Sequence, residues 1–142
     1  MNTWLIYALL SAIFAALVAI FGKIGLSGLD ANTATAIRSI VMAVFLIGVV
    51  LCQGKFDLFS DIVSNKKAMV FILFSGIAGA LSWLFYFMAI KYGPVSKVAP
   101  IDKLSVVFVV IFSVVVLGEK LSLIGLFGVI AIAVGSLLLA LG

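Results

Sequence analysis

Apolar residues run along this chain in blocks of about twenty, with neither the alternation of a strand nor the spacing of a surface helix. A helix needs about that many to cross a hydrocarbon core roughly 30 Å thick, where every backbone polar group must find its partner internally. The blocks are residues 4–21, 32–52, 68–90, 95–117 and 121–141. They predict an all-α membrane protein with five transmembrane helices, the whole of 1–142 forming a single transmembrane domain. Barrel strands do not fit, because they alternate polar and apolar over about ten residues. The joints at 22–31, 91–94 and 118–120 are short, so consecutive helices are expected to be antiparallel neighbours. The linker 53–67 is longer. There Phe56, Leu58, Phe59, Ile62 and Val63 recur at helical spacing among Lys55, Asp57, Asp61, Lys66 and Lys67, which suits a short amphipathic helix at the membrane surface. A solvated loop is the other reading. A cleaved leader would open with Lys or Arg; Met1-Asn2-Thr3 carries no side-chain charge, so the first block is read as a retained helix.

Composition strengthens the assignment. Of 142 residues, 66% are hydrophobic and 10% charged, too few charges to clothe a water-soluble globule of this size. Membrane lipid is the expected surroundings. With no His, the commonest metal ligand and neutral-pH proton shuttle is missing. No metal, cofactor or nucleic-acid partner is expected. An intramembrane enzyme would need a metal cluster, a nucleophile with its base, or paired carboxylates, and the spans offer one acid, Asp102. Cys52 reads as apolar filler near a span end. Small residues at Ser11, Ala15 and Ala19, at Gly76 and Ala80, at Ser75 and Gly79, and at Gly125, Gly128, Ala131 and Gly135 are expected where helices pack closely.

Flanking charge does not fix an orientation. With the amino end inside, Lys55, Lys66, Lys67 and Lys120 lie on the inner side, against outer Lys23, Lys91 and Lys97 and the deeper Arg38 and Lys103. Insertion both ways follows from so even a split. Since the number of spans is odd and many carriers need two inverted halves around a mid-depth site, the expected assembly is an antiparallel homodimer of ten helices with dual topology. A fixed orientation with a different second subunit fits the same counts. The expected location is the cytoplasmic (inner) membrane of a prokaryote.

The charges inside the spans carry the candidate chemistry. Arg38 lies about 9 Å into its block, and Asp102 and Lys103 about 10 and 12 Å into theirs. Near the bilayer centre each costs about 2.5–3.5 kcal/mol on an insertion scale, so each needs a partner or water. Arg38 has a fork suited to a carboxylate or phosphate, or it snorkels to the interface. Asp102 has three readings: proton coupling, substrate contact, or counter-ion of Lys103 or Arg38. Being adjacent, Asp102 and Lys103 point about 100° apart on a helix, which favours pairing across helices. Gly93 and Pro94 look like a helix start, and Pro100 cannot donate to the Ser96 carbonyl, so a break or kink is expected near Ser96 to Pro100. A late start with Pro100 in the first turn is the alternative. Trp83, Tyr86 and Phe87 share a face in the third span and either line a cavity or pack helices. The candidate substrate-binding set is Arg38, Trp83, Tyr86, Lys97, Asp102, Lys103 and Ser105, with the helix broken at Pro94 and Pro100.

The run A-I-K-Y-G-P-V-S-K-V-A-P-I-D-K-L-S from Ala89 to Ser105, followed by L-G-E-K-L-S-L-I-G-L-F-G-V, resembles the EamA-type half of the drug/metabolite transporter superfamily, in particular its short five-span members. Phe21-Gly22-Lys23-Ile24-Gly25-Leu26 and Arg38 also fall where that family places such residues. The resemblance implies a secondary transporter of ten helices in two inverted halves, moving small polar metabolites by alternating access. It places Pro94, Lys97, Pro100 and Lys103 in the family's proline and lysine region, with Asp102 and Ser105, and Glu119 in a structural turn. Four-span multidrug exporters of the superfamily use a Glu within the first helix, which this chain lacks. The intramembrane set of Arg38, Lys97 and Lys103 against Asp102 is net positive, so anionic or zwitterionic substrates are expected. A non-transporting subunit or assembly partner is the alternative function.

Overall fold

The computed structural model describes residues 3–142, which are helical nearly throughout and, among the described residues, contain no strand. The helices are α1 (Thr3–Gly25), α2 (Ala31–Cys52), α3 (Leu58–Ser64), α4 (Lys66–Tyr92), α5 (Val95–Asp102), α6 (Ser105–Leu117) and α7 (Leu123–Leu141). Five segments are long and apolar enough to cross a membrane, with α5 and α6 together making the fourth, Val95–Leu117. The five blocks of the sequence coincide with them to within a few residues at each end, since continuous apolar runs leave the backbone no partner at membrane depth except itself. This is an integral membrane protein.

The ends of the helices follow local chemistry. Asp30 caps α2, its carboxylate accepting from both the backbone N–H and the hydroxyl of Thr33 at 2.8 Å. Gly118, at φ 68°, ends α6 in the left-handed region, and Glu119 N–H reaches back to the Ser113 carbonyl at 3.1 Å. Ser122 then caps α7 by accepting from Gly125 N–H at 3.0 Å. In the long linker, α3 forms with Phe56 and Phe59 stacked at 6.0 Å; Phe56, Leu58, Phe59, Ile62 and Val63 are all exposed.

Two expectations are corrected here. The helix does not break from Ser96 to Pro100. Pro94 is the N-cap of α5, which continues through Pro100, and the interruption falls at Lys103 and Leu104. Proline at 100 withholds only its own N–H, whereas at 103–107 the ladder tightens: Lys103 N–H bonds the Pro100 carbonyl, Leu104 that of Ile101, and Val107 that of Leu104, at 3.0–3.1 Å. The glycines of α4 and α7 also do not mark close contacts between helices inside one chain, whereas Ala19 of α1 is buried. A Cβ added at Gly76, Gly79, Gly128 or Gly135 would meet nothing within 4 Å, and at Gly125 it would touch only the neighbouring Leu121 and Ser122 side chains.

The chain divides into two compact units, residues 25–88 and the remainder, 1–24 with 89–142. In the second, α7 packs against both α5 and α6. Among the described residues the buried hydrophobic ones are few: Ala19, Leu26, Ala31, Phe87 and Ile90. Most of the other large apolar side chains are exposed, as expected of helices meant for lipid or for a further protein surface.

Candidate functional site

Within residues 25–88 the geometry centres on Arg38. Its guanidinium carbon lies 3.4 Å from the centroid of the Trp83 ring and 4.3 Å from that of Phe87. Helices α2 and α4 supply the parts. Trp83 and Phe87 stand one turn apart on α4, 5.8 Å between centroids, and Tyr86 meets Phe87 edge-on at 5.6 Å. Phe87 is buried, with 2% of its surface accessible. An aromatic face attracts a cation without offering it a hydrogen-bond acceptor, so the stack fixes the guanidinium and leaves its donors unspent. Consistent with that, the buried Nε of Arg38 has no hydrogen-bond partner among the described residues. One turn before Arg38, buried Thr35 spends its hydroxyl on the Ala31 carbonyl at 2.7 Å, and Ser39 spends its own on the Thr35 carbonyl at 2.9 Å. Neither hydroxyl is hydrogen-bonded to the Arg38 Nε. A group with anionic oxygen is the chemical complement of this arrangement.

The second cluster lies on α5 and the start of α6. Lys103 Nζ and Asp102 Oδ2 are 3.1 Å apart, with the two side chains 55% and 34% exposed. The sequence argument expected these neighbours to pair across helices. They pair with each other instead, at the point where α5 ends with Asp102 and Lys103 is its C-cap. Lys97, on the first turn of α5, is exposed and forms no ion pair among the described residues. Ser105 opens α6 directly after the interruption and is exposed.

The structure thus brings Arg38, Trp83 and Tyr86 together through Phe87, and Asp102 with Lys103. Lys97 and Ser105 sit in neither contact. In the sequence Lys23 is a flanking charge within the run 21–26 and is given no partner; in the structure its ammonium donates to the carbonyl of Ile90 and, at 3.0 Å, to that of Gly93. The available signal was Pro94, which cannot donate to Ile90. Thr35 was also missed, although a polar residue one turn from an intramembrane arginine was visible. Among the described residues no three His, Cys, Asp or Glu side chains gather as a metal site.

Comparison with known proteins gives the chain its relatives. Residues 2–141 match the EamA-like transporter family. A protein of Sinorhizobium sp. named "Uncharacterized transporter in cobO 3'region" is 45% identical over 139 residues, covering 98% of this chain and 97% of that protein. No solved structure matches.

Proposed function

This chain belongs to the EamA-like transporter family, and from that membership we propose a secondary transporter that moves small anionic or zwitterionic metabolites by alternating access across the cytoplasmic membrane of a prokaryote. The observation that carries the substrate class is Arg38, a cation held on two aromatic rings with donors left over. Removing its hydration at membrane depth and stacking it on Trp83 and Phe87 leaves charge and fork geometry for a carboxylate or phosphate oxygen. In the other unit, Asp102 at the end of α5 and its C-cap Lys103 form a neutral ion pair, whose charges a zwitterion matches in sign.

The working unit in this reading is an antiparallel homodimer of ten helices. Its support is the even distribution of flanking lysines, the scarcity of buried side chains in one chain, and the glycines of α4 and α7 that meet no neighbour. Residues 1–142 then act as one transmembrane domain, repeated twice.

Proteoliposomes test the proposal. Purified protein loaded into vesicles is expected to accumulate radiolabelled amino acids or organic acids, with organic cations at background. Uptake of cations in preference to anions and zwitterions rejects the substrate class. Impermeant maleimide on single cysteines near each terminus, in a Cys52→Ser background, is expected to label both termini from the outside of intact cells. Labelling of one terminus alone rejects the homodimer.

A further inference from the structure

We infer that Lys23 is a positioning residue: its ammonium serves the two carbonyls, of Ile90 and Gly93, that the turn at Pro94 leaves without backbone donors, and so sets the direction in which α5 leaves. The inference rests on the transporter reading only for its consequence in uptake.

The α-helical ladder assigns the Ile90 carbonyl to the N–H of residue 94, and residue 94 is proline. The Gly93 carbonyl would look to Lys97 N–H, which bonds the Pro94 carbonyl instead at 3.1 Å. Two carbonyls at the corner are therefore orphaned by the turn itself. Ile90 is fully buried, so water cannot replace the lost donor. Lys23, in the last turn of α1, donates to both. A cation at that point also faces the negative end of the α4 dipole. The corner has no slack. Gly93 N–H bonds the Ala89 carbonyl at 2.8 Å, and a Cβ at Gly93 would come within 3.2 Å of Val98 Cγ2 and 3.3 Å of the Ala89 carbonyl oxygen. Everything α5 carries, Lys97 and the Asp102–Lys103 pair, hangs from this joint. One ammonium fixes it from α1.

Lys23→Met removes both bonds while keeping length and apolar bulk. The expected result has two parts. Labelling of Lys97→Cys by an impermeant maleimide, in a Cys52→Ser background, changes at least about fivefold in rate when Lys23→Met is added, and Lys23→Arg restores the original rate. Pro94→Ala returns an N–H to position 94, so Lys23→Met/Pro94→Ala recovers thermal stability in detergent that Lys23→Met alone loses. This second arm reads out even where Lys23→Met accumulates poorly. An unchanged labelling rate overturns the inference, and so does a double variant no more stable than Lys23→Met. The two readings fail separately. If unmodified protein transports nothing while the labelling and suppression results hold, Lys23 positions the corner and the transport proposal falls; if uptake is normal in Lys23→Met and labelling is unmoved, the reverse is true.

Discussion

Arg38→Gln is expected to lower the kcat/KM of uptake by at least about 30-fold. Truncating one partner of a desolvated charge pair costs about 2–5 kcal/mol, and each 1.4 kcal/mol is about tenfold. If Arg38 holds the substrate's anionic oxygen, that loss falls on every substrate carrying one. The aromatic shelf separates holding from binding. Trp83→Leu removes a stack worth about 0.5–2 kcal/mol, so KM is expected to rise by about 2- to 30-fold with the protein still accumulating in the membrane. Arg38→Lys keeps the charge and gives up the planar fork, and should fall between the two. Initial-rate uptake in proteoliposomes with matched reconstitution measures all three. Arg38→Gln within threefold of unmodified protein would remove Arg38 from the substrate site.

The second large effect concerns Asp102 and Lys103. Asp102→Leu strands the Lys103 ammonium at membrane depth, at about 2.5–3.5 kcal/mol, so membrane accumulation should drop steeply. Asp102→Leu/Lys103→Leu removes both charges together, and exchanging an ion pair for apolar side chains of similar size is often neutral for stability. Accumulation is therefore expected to recover in the double variant while uptake stays at background. The two measurements, immunoblot of membranes and uptake per milligram of inserted protein, tell a carrier from an assembly subunit. Normal uptake by the double variant would make the pair purely structural.

How far the sequence reaches depends on the distance over which each signal acts. The spans were legible because the bilayer imposes one requirement, an uninterrupted apolar length, on every residue of a segment; α1, α2, α4 and α7 follow directly. Caps were legible too, since Gly118 and Ser122 act on backbone within four residues. The interruption in the fourth span lies further along than Pro100 suggests, because a proline withholds a single donor and the helix carries on for two more residues. Lys103 is legible as one counter-ion for Asp102, but the rule about helical directions favours a partner across helices and does not apply once the helix ends between the two. Trp83 and Phe87 were known to share a face, but that Arg38 of α2 lies over that face is a tertiary fact with no trace in spacing. The same holds for Lys23, whose partners are 67 and 70 residues away in the chain.

Resting a guanidinium on an indole gives this protein an optical gauge of its own. Trp4 and Trp83 are the only tryptophans, so with Trp4→Phe all indole emission reports on position 83. Drawing Arg38 toward a ligand lifts the cation off the ring, and the spectrum should shift in step with occupancy, without any dye or label.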